Sequence, residues 1–195
     1  MLAKYLMALW LPLVIGCTAP AGNEIAADSS TTSEIPSGAQ IQPFEDSPDI
    51  AQIQTTDESG NLAQVGIMKK GVREGNWINY HPNGMVKLIT PYVNGKIEGM
   101  QVEVSTTGQI EKQIMFHNNL PHGLYKEYKY TVLKEERTYA YGKLEGVAKV
   151  YYDDGKIMEE GAYKGGIRDG VSKWYDQQGK VTIEYEYKGG QLVRK

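Results

Sequence analysis

The chain is poor in the side chains that do chemistry. One cysteine and three histidines occur among 195 residues. An intramolecular disulfide is therefore excluded, and a zinc site, which takes three or four convergent ligands, has little to draw on. His81 falls in a turn, and His117 and His122 flank the connection NNLP; all three read as surface turn residues. No G-x-S-x-G elbow, no phosphate loop with Gly-Lys-Ser/Thr and no H-E-x-x-H pair occurs. Carboxylates such as Glu135 and Glu136, or Glu159 and Glu160, are sequence neighbours. In a strand, neighbours point to opposite faces, which prevents joint acid-base work. Asp153, Asp154 and Asp176 precede turn glycines, where Asp serves the turn rather than calcium. The expectation is a protein that is not an enzyme and uses no metal or cofactor.

A basic excess is missing too. Against 24 Asp and Glu stand 21 Lys and Arg, a net charge of -3, so nothing is available to displace counterions from nucleic acid. Phenylalanine is scarce, 2 against 14 Tyr and 22 Gly, which favours half-exposed strands joined by tight turns over a thick aliphatic core. No apolar run reaches the roughly 20 residues of a spanning helix. The run from Tyr5 to Ile15 is shorter, follows Lys4 and ends in Val14-Ile15-Gly16-Cys17, the order of an export signal.

Those last residues resemble the lipobox of bacterial lipoproteins. The resemblance implies that Cys17 is acylated and becomes the N-terminus; an ordinary secretory signal cleaved nearby is the alternative. Acyl chains contribute roughly 0.8 kcal/mol per buried methylene, so the protein would be anchored to a membrane without spanning it. Thr18 stands where lipoproteins kept in the inner membrane often carry Asp, which places the protein in the bacterial cell envelope, at the outer membrane where the cell has one. Residues 1–16 are then the signal peptide. Residues 17–49, rich in Ala, Gly, Ser, Thr, Pro, Asp and Glu, read as a disordered tether, because such a composition buries too little apolar surface to offset chain entropy.

From there the chain repeats itself. Gly75, Gly99, Gly123, Gly146 and Gly170 recur at steps of 24, 24, 23 and 24 residues. Five places after each stands Tyr80, Val104, Tyr128, Tyr151 or Tyr175, and late in each unit comes Tyr92, Phe116, Tyr139, Tyr163 or Tyr187. Mid-unit glycines fall at Gly84, Gly108, Gly155 and Gly179, and the third unit has Thr131 instead. HPNG, YDDG and DQQG are hairpin-turn sequences, and alternation such as Val181, Ile183, Tyr185, Tyr187 gives a strand with one buried face. The repeat domain, residues 50–195, thus comprises a degenerate unit 50–70 and units 71–94, 95–118, 119–141, 142–165 and 166–189. Each unit supplies a hairpin that is marginal alone and stabilised by its neighbours. The fold class is all-β: an elongated antiparallel meander of about ten strands. Arg194 and Lys195 put charge on its last edge, discouraging further pairing.

The unit GNWINYHPNGMVKLITPYVNGKIEG (75–99) resembles the MORN-repeat variant family, whose bacterial members are often labelled YwqK-type toxin-antitoxin antitoxins. The resemblance spans about residues 57–193. It implies a β-hairpin array in a membrane-associated or protein-binding role, with a protein partner; neutralisation of a toxin, as an antitoxin or immunity protein, is one form of that role. An envelope enzyme acting on glycan or lipid is the alternative from another class. The candidate binding surface is Trp77, Tyr125 and Trp174, offset from the repeated tyrosines, with Lys126, Lys149 and Lys173 three places after their block glycines. The aromatics would grip a partner by stacking if exposed, or else close the second face of the sheet. The lysines would meet an acidic ligand or lipid head group, or form a solvated strand face.

Overall fold

The computed structural model describes residues 34–194. The expected signal peptide, the lipidation of Cys17 and the edge charge of Lys195 lie outside the described residues. Sixteen strands run up and down: β1 Gln40–Phe44, β2 Ser47–Thr56, β3 Leu62–Lys69, β4 Val72–Tyr80, β5 Val86–Val93, β6 Lys96–Ile97, β7 Gly99–Val104, β8 Ile110–His117, β9 Leu120–Lys129, β10 Val132–Ala140, β11 Lys143–Leu144, β12 Gly146–Tyr151, β13 Ile157–Lys164, β14 Ile167–Tyr175, β15 Val181–Lys188 and β16 Gln191–Arg194. Neighbours in sequence are neighbours in one antiparallel sheet. Strands β6 and β7 are two parts of one strand interrupted at Glu98, as β11 and β12 are at Glu145.

Two kinds of turn alternate. Seven two-residue connections carry positive φ at both positions, for example Asn94 (50°) with Gly95 (78°), a geometry whose twist matches that of the flanking strands. Five longer loops use the mid-unit glycines, and at Gly84, Gly108, Gly155 and Gly179 φ lies between 81° and 84°. The third unit departs from this. Where its siblings have a five-residue loop, it turns through Tyr130 and Thr131 with φ of 50° and 69°, an uncommon conformation for a bulky and a β-branched residue.

The tether expectation is corrected at its C-terminal end. Residues 40–49 already belong to the sheet: Ile41 pairs with Ile53, and Ile53 is 1% exposed. The alternation Ile41, Pro43 and Ala51, Ile53, whose members pair across the two strands, outweighs the polar composition of the stretch.

The block glycines mark bulges. In the β3–β4 pair, Val65 faces Ile78 and Ile67 faces Glu74, leaving Gly75, Asn76 and Trp77 against Gly66 alone. On the other side of the same strand, each block glycine faces the late aromatic of its unit: Gly75 with Tyr92, Gly99 with Phe116, Gly123 with Tyr139, Gly146 with Tyr163 and Gly170 with Tyr187. The core lies on this single, inner face of the sheet and comprises Ile53, Met68, Trp77, Tyr92, Ile97, Ile114, Phe116, Tyr125 and Tyr139.

Consecutive hairpins are also clasped at one sheet edge. The residue before the block glycine accepts a hydrogen bond from the first turn residue of the following hairpin connection. Glu74 accepts from Asn94 N–H (2.8 Å), Glu98 from Asn118 (2.9 Å), Glu145 from Gly165 (2.8 Å) and Asp169 from Gly189 (2.9 Å). In the third unit His122 takes the place of the carboxylate, and its Nδ1 lies 3.4 Å from Tyr141 N.

Candidate functional site

The inner face is filled by its own side chains. Trp77 (1% exposed) lies over Gly66, donates Nε1–H to the Ile67 carbonyl at 3.0 Å and meets Tyr92 edge-on with ring centroids 6.4 Å apart. The Arg73 guanidinium sits 4.1 Å from the Trp77 ring and donates to Tyr92 Oη at 3.2 Å. Tyr125 (5% exposed) packs edge-on against Tyr139 beneath Arg137. Burial, followed by its hydrogen bond to Glu127, pushes the Tyr125 phenol pKa up. Trp174 packs against Tyr185 beside Arg168, which is held by Glu159 and Ser172. Trp77 and Tyr125 are therefore not the exposed grips that the sequence offered. Their positions alternate with the outward Tyr80 and Tyr128, so the pleat turns them into the core.

The outer face carries a continuous cross-strand row. Its register runs Val65, Ile78, Ile89, Val102, Gln113, Lys126, Glu136, Lys149, Glu160, Lys173, Glu184, each residue directly opposite the next. The row is apolar over β3 to β7 and alternates in charge from β9 to β15. Lys126, Lys149 and Lys173 do share one face, but each is flanked by glutamate across the ladder. Lys126 approaches Glu136 at 3.4 Å and Lys173 approaches Glu184 at 3.8 Å. The result is a charge-balanced ladder, not a basic patch, and opposite charges directly across a ladder stabilise it modestly.

Two further rows flank it. Tyr80, Tyr128, Tyr151 and Tyr175 share the outer face with the ladder. Tyr128 donates to Gln113 and Tyr175 to Glu160; the bond to Glu160 is the main cause that pushes the Tyr175 phenol up to about 12. On the other side lies a stripe of Pro91, Met100, Met115, Leu124, Val147, Ala162 and Val171, of which Met100 is 41% and Leu124 50% exposed. Sequence reasoning missed this stripe. Its signal was an apolar residue one place after the block glycine: Met100, Leu124, Val147, Val171.

At the clasped edge, Glu98, His117, His122 and Tyr141 border an open cleft. His117 Nδ1 lies 2.8 Å from Glu98, and His122 stacks edge-on with Tyr141 at 4.7 Å. The Glu98 carboxyl is held below the usual range, first by His117 and then by the Asn118 N–H. Among the described residues no group of three or more His, Cys, Asp or Glu is arranged to hold a metal ion, and no helix is long and apolar enough to cross a membrane.

Residues 73–94, 144–164 and 168–188 match the family model of the MORN repeat variant. These segments coincide with the hairpins β4–β5, β12–β13 and β14–β15, so three hairpins of the all-β array match the MORN repeat variant. No curated protein matches the chain. Among solved structures, S. aureus TarM in complex with Fondaparinux, alpha-GlcNAc-glycerol and UDP is similar at 15% identity over 51% of this chain, with a TM-score of 0.35. A second TarM structure is similar at 14% identity over 50% of this chain, with a TM-score of 0.34. The chain spans about a fifth of the length of those proteins. Repetition of one hairpin with a self-filled inner face and a free outer face is the organisation of a repeat-based binding scaffold.

Proposed function

We propose that the protein is a noncatalytic lipoprotein, anchored in the bacterial envelope through Cys17, whose outer sheet face binds a protein or another envelope component. The observation that carries the binding half of this reading is the apolar end of the outer face. Ile67, Val93 and Met100 are each more than a third exposed there, beside Val65, Ile78, Ile89 and Val102 in one cross-strand row. Apolar surface gathered on one face of a strand array is what a partner covers. The anchoring half is supported by Val14-Ile15-Gly16-Cys17.

A photo-crosslinking residue placed at Met100 in the full chain in living cells tests the first half. A single defined adduct at Met100, absent when the same residue replaces Asn83 in the β4–β5 loop, is the expected result; equal labelling at both sites sinks it. A toxin in that adduct would give the scaffold an immunity role. For the second half, Cys17→Ser should abolish fatty-acid labelling, and unchanged labelling would refute the anchor.

A further inference from the structure

Resting on that reading of the outer face, we infer that its C-terminal half receives a second copy of the same chain, face to face and antiparallel across a two-fold axis. The charge order of the middle strands points to it. From β10 to β14 the ladder reads Glu136, Lys149, Glu160, Lys173. Place a two-fold axis along the strands, midway between β12 and β13. It reverses the strand order and keeps the position along each strand. Glu136 then faces Lys173 of the other copy, and Lys149 faces Glu160. Every contact in the row is between opposite charges. A like-for-like approach without that reversal puts Glu on Glu and Lys on Lys, so the reversed order is favoured over the unreversed one.

Two further observations fit this occupant. Lys149, beside the axis, makes no ion pair among the described residues, whereas Lys126 and Lys173 each have one; the second copy's Glu160 supplies the missing anion. Next to the ladder the axis brings Val147 onto Ala162 and Thr138 onto Val171. These side chains are small, and Val147 and Val171 are 49% and 37% exposed. Small residues let two sheets approach to the roughly 10 Å of a sandwich, and sheet twist confines close contact to the middle strands. A strongly basic or acidic partner would find no net field in this row, and a neutral lipid surface would strip water from its ion pairs and offer Lys149 no anion. An isologous pairing is the simplest that satisfies an alternating row.

The pairing is read by co-expressing two differently tagged full-length copies and measuring how much of one follows the other through purification. Wild-type copies should co-purify. Glu136→Lys with itself, and Lys173→Glu with itself, should each lose co-purification by at least tenfold, because like charges then meet twice across the axis. Glu136→Lys with Lys173→Glu should recover it. Within one chain these two residues sit on β10 and β14 with two strands between them, so recovery reports contact between copies. Equal recovery in every combination, or none between wild-type copies, overturns the proposal. Should either variant fail to accumulate, wild-type copies labelled with light and heavy nitrogen provide the second reading. A carbodiimide cross-link from Lys149 to Glu160 joining one light and one heavy peptide supports the pairing, and only unmixed peptides refute it. A different protein or a lipid found on this half of the face, with no second copy, also refutes it; the Met100 adduct would still stand, leaving the scaffold reading intact.

Discussion

Gly123 and Tyr139 stand directly opposite each other on β9 and β10, with Tyr139 6% exposed and packed edge-on against Tyr125. The glycine has φ of 106° at the bulge, a conformation that L-residues rarely adopt, and it leaves bare backbone for the ring opposite. The same glycine–aromatic pairing recurs in all five units, and in three of them the aromatic, Tyr92, Phe116 or Tyr139, belongs to the core. It ties the sequence period to the fold.

Glycines in this sheet do two separable jobs, and alanine distinguishes them. At Gly66 an added Cβ would lie 2.2 Å from Trp77 Cδ2, a clash inside the core. At Gly84 the space is open and only φ of 81° resists. Gly66→Ala should therefore cost about 3 kcal/mol or more through overpacking, and Gly84→Ala about 1 to 2 kcal/mol through backbone strain. Urea denaturation of each variant checks this; equal losses would contradict the assignment.

Because each hairpin leans on the next, damage should travel. Tyr139→Ala removes a buried ring and is expected to cost about 3 to 5 kcal/mol. Amide hydrogen exchange should accelerate in β8 and β12 as well as in β9 and β10. Acceleration confined to β9 and β10 would mean that the hairpins fold independently.

The hairpins were legible because glycine and tyrosine recur in step, and because each longer turn carries its own chemistry. The sheet faces were harder to read. Trp77, Tyr92 and Tyr80 are all aromatic, yet two point inward and one outward, and only the pleat decides which. The partners of Lys126, Lys149 and Lys173 were hidden because ladder partners are separated by a full strand and loop. In the third unit the loop shortens at Tyr130–Thr131, which changes the spacing from Lys126 to Glu136. The strand at Gln40–Phe44 was obscured by its polar neighbours, and the clasp by Glu74, Glu98, Glu145 and Asp169 depends on contacts between units that no single repeat displays.

That clasp predicts opposite effects at two equivalent places. Glu145→Ala frees the Gly165 N–H and should cost about 1 kcal/mol, the usual worth of such a bond. His122→Glu restores the carboxylate that the other four units possess and should stabilise by up to about 1 kcal/mol at neutral pH. Chemical denaturation of both variants tests it. A destabilised His122→Glu variant would show that His122 is held by Tyr141 and His117 for its ring rather than for its acceptor nitrogen.

Acid should loosen the same edge. The folded state holds Glu98 below its ordinary value of 4.5, chiefly through His117 and then the Asn118 N–H. A carboxylate lowered on folding stabilises the fold above its unfolded pKa, and that contribution fades as pH falls through the folded value. Asp153, lowered by its bond to Lys134, and Asp154, lowered by the Lys156 N–H, act in the same direction. Stability should thus be flat near neutrality and decline below about pH 4.5. In Glu98→Gln the decline should be shallower, since glutamine accepts a bond from the Asn118 N–H without a proton to gain. Midpoints of urea unfolding across the acid range measure the slope, and an identical slope in wild type and variant would remove Glu98 from the account.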